Sequence, residues 1–156
     1  MAYTAAVTGV GVSVDDEGVG APIVVLEAGG QYLPIFISPD QAQSMELVRR
    51  GLPFNRPLTH DLMIDMMTDF GGAIDRVRVD NLRDGTFYAK IDAERYEGGE
   101  REEFVFDARP SDAIALALRV ECPIEVEEHV MAMAGQSPEE IDLEGIDLDS
   151  DDEVSW

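Results

Sequence analysis

The sequence has one cysteine, one lysine and no long run of apolar residues, and each scarcity narrows what the chain can be. Because Cys122 is the single cysteine, an intrachain disulfide and a cysteine-based metal cluster are both excluded. No apolar stretch approaches the roughly 20 residues that a membrane-spanning helix needs. The N-terminal residues lack the positively charged region of a signal peptide, so we expect a soluble cytoplasmic protein with no membrane partner.

Positive charge is also scarce, since 33 acidic residues outnumber 11 basic residues and give a formal net charge of −22. Lys90 is the single lysine among the basic residues, and the others are arginines. In dilute buffer such an excess of negative charge would repel itself and any nucleic acid. At molar salt the Debye length falls to about 3 Å and this repulsion is screened. We therefore expect a halophilic cytosol, which explains the single lysine better than an acidic mesophilic protein does.

The length of 156 residues and a hydrophobic fraction of 45% predict one domain with a substantial core. Hydrophobic periodicity indicates two similar groups of three strands, each followed by a helix. The predicted elements are strands 3–14, 22–28 and 31–37 with helix 39–50, helix 59–70, strands 74–82, 86–96 and 101–108 with helix 111–119, strand 123–126 and a short helix to 134. We expect an α+β fold in which two three-stranded antiparallel β layers, each followed by a helix, enclose a buried central helix.

The turns and caps between these elements have their own signals. Gly29-Gly30 predicts a tight hairpin, and Pro34 predicts that its strand lies at a sheet edge or carries a bulge. Thr59 is the expected N-cap of the helix at 59–70. The predicted core face of that helix consists of Leu62, Met63, Met66, Met67 and Phe70.

The helix predicted at 111–119 is unusual because residues 113–118 carry no polar side chain. A helix that is apolar on all sides must be buried on all sides. Pro110 precedes it, Ser111 is a plausible N-cap, and Asp112 places negative charge in its first turn. Arg109 therefore enters the fold at the rim of a buried element.

The C-terminal residues differ in composition from the rest, so we assign residues 1–135 to the domain and residues 136–156 to an acidic tail. Nine of the last twenty residues are acidic and none is basic. Ser137 and Glu140 have the spacing of a capping box that starts one helical turn. Beyond that turn we expect a mobile chain.

Residues 47–60 concentrate the positive charge that the rest of the chain lacks. Arg49, Arg50 and Arg56 could bind a phosphate backbone, since guanidinium groups make bidentate contacts to phosphate. The alternative is that these arginines neutralise acidic groups that folding brings near them. From the residues alone, we favour that alternative.

His60 and Asp61 follow the arginines, and the spacing of four places Asp61, Asp65 and Asp69 on one face of a helix. Converging carboxylates and a histidine could hold Mg²⁺ or Mn²⁺ and activate water for phosphodiester hydrolysis. The alternative is a solvated acidic face, which we favour for Asp65 and Asp69.

Arg109, Ser111 and Asp112 form a third candidate group. Arg109 could bind a phosphate or stabilise negative charge in a transition state. The alternative is helix capping with an ion pair at the rim. Cys122 has no base near it in sequence, so we interpret it as a small buried side chain rather than a nucleophile.

Five separated motifs occur in order: Leu33-Pro-Ile-Phe-Ile37, Arg56-Pro-Leu-Thr-His-Asp-Leu62, Gly85-Thr-Phe-Tyr-Ala89, Asp107-Ala-Arg-Pro-Ser-Asp-Ala-Ile114 and Pro123-Ile124. Through them, the chain resembles the bifunctional nuclease (BFN) domain family over roughly residues 5–130. The resemblance implies a compact α+β domain that commonly self-associates, together with DNase and RNase activity. Carried over by position, the matching polar residues are Arg56, Thr59, His60, Asp61, Arg109, Ser111 and Asp112.

One departure from the family pattern concerns the segment after the Leu-Pro-Ile strand. Relatives often have glycine there and, three residues on, glutamate, whereas this chain has Ser38 and Gln41. If that glutamate binds a metal in relatives, this protein lacks one ligand.

The resulting hypothesis is a nuclease that hydrolyses phosphodiester bonds in DNA, RNA or both. Its catalytic residues would be His60 as general base or metal ligand, Asp61 as carboxylate ligand, Arg109 as transition-state clamp, and Asp112. Its substrate-binding residues would be Arg49, Arg50, Arg56 and Ser111. The cofactor is open, with Mg²⁺ or Mn²⁺ as candidates.

The alternative hypothesis is a non-catalytic oligomeric module that binds a protein or nucleic-acid partner. On that hypothesis the motifs serve packing and capping. In either case we expect a homo-oligomer, with a dimer as the first expectation. Convergence of His60, Asp61, Arg109 and Asp112 in one concave site would favour the enzyme.

Overall fold

The structure, a computed structural model, describes residues 1–14, 16–18, 20–52 and 55–141. The strands are β1 (Ala2–Val14), β2 (Gly20–Ala28), β3 (Gln31–Phe36), β4 (Gly72–Arg83), β5 (Thr86–Glu97), β6 (Glu100–Ala108) and β7 (Ile124–Glu127). The helices are α1 (Pro39–Arg49), α2 (Thr59–Asp69), α3 (Pro110–Val120) and α4 (Glu128–Ala134). Among the helices in these ranges, none has the length and apolar character needed to cross a bilayer.

The fold is α+β, but its strands form one sheet rather than the two three-stranded layers predicted. The strand order is β3-β2-β1-β7-β4-β5-β6. The short strand β7 joins the two groups because it pairs antiparallel with β1 and parallel with β4. Ile124, for example, lies opposite both Ala5 and Val77. A four-residue strand between two hairpin groups turns the expected layers into a continuous sheet.

The local turn predictions are confirmed. Ala28 pairs with Gln31 across a two-residue loop, and Gly29 and Gly30 have φ angles of +59° and +78°. Two consecutive positive φ angles define the tight turn that matches the twist of a hairpin, and glycine adopts them without steric cost. Pro34 lies in β3, which is the edge strand of the sheet as predicted.

Helix α3 is the buried central helix of the domain, and residues 113–117 are all buried. It contacts α1, α2, β4 and β5, which explains why it can be apolar on every side. Its N-cap is Arg109, and Pro110 is its first residue. Ser111 therefore lies inside the first turn and is not the N-cap expected from the sequence.

Helix α2 corrects a second prediction, because most of its expected core face is exposed. The exposed fractions are 53% for Leu62, 48% for Met63, 53% for Met66 and 78% for Phe70. The helix packs instead through buried His60 and through Ile64, which contacts the main core. Apolar residues occur on more than one side of α2, so periodicity could not identify the packed side. Thr59 is its first residue, and the N-cap position belongs to Leu58.

The chain continues past α4 onto the other end of the sheet. Gln136 exchanges backbone hydrogen bonds with Tyr32, and Ile141 is buried against Ile23 and Val25. Glu140 donates its backbone N–H to the hydroxyl of Ser137, as the capping box predicts. The predicted mobile acidic tail lies otherwise outside the described residues.

Candidate functional site

An open cleft with a volume of about 1220 Å³ lies between α1, α2, the start of α3 and the strands β4 to β6. Its interior is largely apolar, and its lining includes Leu47, Met63, Ile64, Met67, Ile91 and Phe106. Polar side chains also line the cleft, among them Gln41, His60, Arg109 and Asp112. A concave apolar site with a few convergent polar groups is the usual setting for ligand binding.

Asp112 is at the centre of the polar group. Its Oδ1 lies 3.0 Å from Nε2 of His60, and its Oδ2 accepts a hydrogen bond of 2.8 Å from Nε of Arg109. His60 is the second residue of α2 and is buried, whereas Arg109 and Asp112 occupy the N-cap and first turn of α3. The packing of α2 on α3 therefore brings three of the predicted catalytic residues together.

The protonation state of this group follows from Asp112. Burial tends to raise the pKa of Asp112, but hydrogen bonds from Arg109 and His60 outweigh it and hold the pKa below the ordinary carboxyl value. An ionised carboxylate only accepts hydrogen bonds, so Nε2 of His60 must carry the shared hydrogen. In the neutral imidazole, Nδ1 is then the basic nitrogen.

Arg109 combines a fixed position with an accessible guanidinium. Its side chain is 74% exposed, and among the described contacts only Nε is engaged, with Asp112. The two terminal nitrogens remain available for an anion. The N-terminus of α3 adds backbone N–H groups and partial positive charge at the same place. This part of the cleft can therefore bind a phosphate despite the negative net charge of the chain.

Gln41 and Ser38, the two positions that depart from the family pattern, connect α1 to this site. Ser38 is the N-cap of α1, and its backbone N–H donates to Oε1 of Gln41 at 2.9 Å. The side-chain amide of Gln41 also donates a hydrogen bond of 2.7 Å, from its Nε2 to the hydroxyl of Ser111. Gln41 thus uses both ends of its side chain to join the starts of α1 and α3, and Ser111 is buried in that contact.

Asp61 lies next to His60 in sequence but has different partners. Its Oδ2 accepts the backbone N–H of Leu58 at 2.9 Å, and its Oδ1 accepts Nε of Arg119 at 2.9 Å. The side chain of Arg119 is only 4% exposed and also binds Ser44. Asp61 therefore caps the start of α2 and pairs with the buried guanidinium of Arg119. It does not line the cleft.

The arginines of residues 47–60 lie outside the cleft. Glu46 is buried, and its carboxylate pairs with Arg49 at 2.8 Å and with Arg50 at 3.0 Å. These pairs match the alternative reading of the arginine-rich segment, in which folding brings acidic groups to it. Arg56 is exposed. Asp65 and Asp69 are exposed on α2, as expected for a solvated acidic face.

The described residues do not provide the ligand set of a divalent metal site. Mg²⁺ and Mn²⁺ prefer several oxygen ligands at one point. Within residues 1–14, 16–18, 20–52 and 55–141, no three histidine, cysteine, aspartate or glutamate side chains converge in this way. The side chains in those ranges therefore do not fit a divalent metal centre.

The sequence did not predict the contacts of two residues in this region, Arg119 and Gln41. Arg119 was part of the apolar helix, and nothing in its spacing from Asp61 indicates a contact across 58 positions. Gln41 was identified only as a departure from a family pattern. Its bond to Ser111 spans 70 positions and depends on the packing of α1 against α3.

Comparisons with known proteins add to this geometry. Residues 23–139 match the model of the family described as the bifunctional nuclease domain. An uncharacterized protein of Mycobacterium tuberculosis (strain H37Rv) is 42% identical over 136 residues, which cover 85% of this chain and 79% of that protein.

Plant proteins match more distantly. Bifunctional nuclease 1 of Oryza sativa subsp. japonica is 26% identical over 111 residues, and bifunctional nuclease 2 of Arabidopsis thaliana is 28% identical over 112 residues. Each match covers 70% of this chain and 33% of the plant protein. The halophilic cytosol expected from the net charge stays a prediction.

Proposed function

Because the chain belongs to the bifunctional nuclease domain family, we propose that it hydrolyses phosphodiester bonds in nucleic acid at the cleft between α2 and α3. The observation that carries the proposal is the carboxylate of Asp112, which holds His60 and Arg109 side by side. A base and an anion-binding cation at one point of a concave surface are what phosphoryl transfer requires.

The geometry supports a role for each residue of this group. His60 accepts a proton at Nδ1 from the attacking oxygen, which is a water molecule in either nucleic acid or the 2′-hydroxyl in RNA. The oxygen of the leaving strand departs from phosphorus and takes a proton from solvent. Attack by the 2′-hydroxyl first gives a 2′,3′-cyclic phosphate, which water then hydrolyses. Asp112 orients the imidazole and stabilises the imidazolium that forms. The terminal nitrogens of Arg109 bind the non-bridging phosphate oxygens, where negative charge grows as the new bond to phosphorus forms and the old one breaks.

The other predicted site residues take supporting roles in this proposal. Asp61 and Ser111 hold α2 and α1 against α3 and so position His60 and Asp112. Arg56 would contact the phosphate backbone outside the cleft, with Arg49 and Arg50 further away. The domain would comprise residues 1–135 and the tail residues 136–156, the tail being attached to the sheet at its start through Gln136 and Ile141. The setting would be a cytoplasm of high ionic strength.

A second function, a non-catalytic oligomeric module, is favoured by one observation. Leu62, Met66 and Phe70 are spaced by four residues and form a continuous exposed row along α2. Exposed apolar rows of this kind mark association surfaces. A second copy of the chain is the occupant that matches the expected dimer.

The experiment that tests the proposed function is cleavage of end-labelled single-stranded RNA and DNA by purified protein in molar KCl. Parallel reactions contain Mg²⁺, Mn²⁺ or a chelator, and an Arg109→Ala variant accompanies the wild-type protein. Cleavage that is lost in the variant supports the enzyme and its site together. Equal cleavage by both proteins would place the activity elsewhere or in a contaminant, and no cleavage by folded protein would favour the binding module.

A further inference from the structure

We propose that the apolar part of the cleft binds an unstacked base of a single-stranded nucleic acid, with the ring of Phe106 as its stacking surface. The choice of ligand rests on the proposed function. The position of the binding surface rests on the chemistry of the cleft itself, which contains an aromatic ring, aliphatic walls and one cation.

The first argument is the composition of the cleft. Met63, Met67 and Ile91 line it together with Phe106. Such a surface offers little to a phosphate, which needs donors and positive charge, but it suits the flat apolar face of a base. Arg109 is the cation among the described residues that line the cleft, and its terminal nitrogens have no partner among the described contacts. The backbone of a bound strand would therefore lie on the side of Arg109.

The second argument is the presentation of Phe106. Its side chain is 52% exposed, although it lies on β6 beside Ile91 and faces the cleft. The ring of Phe104 lies parallel to it, with centroids 6.0 Å apart and an angle of 8° between the planes. This contact favours the observed orientation of the Phe106 ring. A pre-oriented and exposed aromatic ring is the kind of platform on which single-stranded nucleic acids stack.

The third argument is proximity to the reacting groups. Phe106 and Arg109 are three residues apart and line the same cleft, at the point where β6 leads into α3. A nucleotide has its base and its phosphate on opposite sides of one sugar. A base on Phe106 would therefore leave the adjacent phosphate near Arg109 and His60.

This arrangement predicts a preference for single-stranded over duplex nucleic acid. In a duplex each base is stacked on both faces, so a base can reach Phe106 only after leaving the stack. In a single strand the bases are already free to turn outward. We therefore expect duplex of the same length and sequence to bind at least about tenfold more weakly.

The charge of the cleft predicts an unusual response to salt. Arg109 is the only arginine or lysine among the residues that line it in the described part of the chain. The affinity of single strands falls with salt by a slope of about −0.7 per neutralised phosphate, so one contact gives a shallow slope near that value. Stacking itself is not screened by salt. Binding of this kind would persist at the high ionic strength expected from the net charge of −22.

The test is fluorescence anisotropy with a labelled phosphorothioate oligothymidylate, which resists cleavage, and with a duplex of the same length. Phe106→Ala removes the ring and should weaken single-strand binding by about 5- to 150-fold, as loss of one stacked base does. Val105→Ala is the matched control, because Val105 neighbours Phe106 on β6, is 59% exposed and does not line the cleft. It should bind as the wild-type protein does, and Phe106→Trp should retain binding.

Equal affinity of Phe106→Ala and wild-type protein would overturn the inference, and so would equal affinity for single strand and duplex. A change of oligomeric state in Phe106→Ala without a change in binding would show that the ring contacts a second copy instead. The inference and the proposed function fail separately. If Phe106→Ala cleaves as the wild-type protein does, the nuclease function stands and the base site is wrong. If binding depends on Phe106 but no cleavage occurs, the base site stands and the nuclease function is wrong.

Discussion

The carboxylate of Asp112 lies 3.0 Å from Nε2 of His60, although the two residues are 52 positions apart in sequence. This contact ties the first turn of α3 to the first turn of α2. It also forces the hydrogen onto Nε2 and leaves Nδ1 as the base of the neutral ring. In the proposed mechanism, Asp112 acts on His60 without itself contacting the substrate.

Asp112→Asn should destabilise the protein in a pH-dependent way. The folded pKa of Asp112 is lower than the ordinary value of 3.8, so its ionisation contributes stability that is fully present above that value. The contribution is lost as the pH falls through the folded pKa. We expect the free energy of unfolding of the variant, measured with urea, to be about 1–2 kcal/mol lower near neutral pH. The difference in unfolding free energy between the two proteins should decrease at a pH well below the ordinary carboxyl pKa. If it does not decrease there, this account is contradicted.

Asp61→Ala should act mainly on stability. It leaves the buried guanidinium of Arg119 without its carboxylate and removes the acceptor of the Leu58 N–H. Breaking a buried ion pair costs about 3–5 kcal/mol, which thermal or urea unfolding will detect. Asp65→Ala, one turn later on the exposed side of α2, is the control and should stay within about 0.5 kcal/mol. If Asp61→Ala abolishes cleavage while stability is unchanged, Asp61 is a catalytic residue as the sequence suggested.

Substitution of serine for Met66 and Phe70 should prevent self-association if the exposed row on α2 is a contact surface. Both side chains are more than half exposed, so the folded monomer loses little when they are replaced. Sedimentation velocity should show the wild-type protein as a dimer and the double variant as a monomer. Thr68→Ala, an exposed position on the same helix, serves as the control. A wild-type monomer, or a variant that remains dimeric, would exclude this surface.

Arg109→Ala should reduce cleavage by at least about 10²-fold while leaving the free energy of unfolding within about 0.5 kcal/mol. The side chain is largely exposed, so its removal opens no cavity. Arg83→Ala removes the same charge from an exposed arginine that stacks on Tyr88, away from the cleft, and should keep full activity. Comparable losses in the two variants would mean that net charge, rather than the position of Arg109, governs the activity.

The parts of the fold that the sequence predicted are those set by local chemistry. Gly29 and Gly30 define a hairpin on their own because each takes a positive φ angle. Residues 113–117 have no polar side chain, which is enough to predict burial. The parts that could not be predicted depend on long-range packing. The short strand β7 joins both strand groups into one sheet, and the packed side of α2 is chosen by its neighbours.

The candidate site divides in the same way. His60, Arg109 and Asp112 were identified from residue type and motif, and the structure brings them together. For Arg49 and Arg50 the sequence favoured neutralisation of nearby acid over phosphate binding, but it could not identify buried Glu46 as the acid with which both pair. Gln41 and Arg119 could not have been found, since each owes its role to a contact between helices.

The central claim is that His60 and Arg109 act as one site through Asp112, and a double-variant cycle on kcat/KM for single-stranded RNA tests it most directly. His60→Ala and Arg109→Ala should each cost at least about 10²-fold, with folding checked by circular dichroism. Residues that act as a unit are non-additive, so the double variant should lose much less than the product of the two single losses. Full activity in either single variant, or strictly multiplicative losses, would contradict the account.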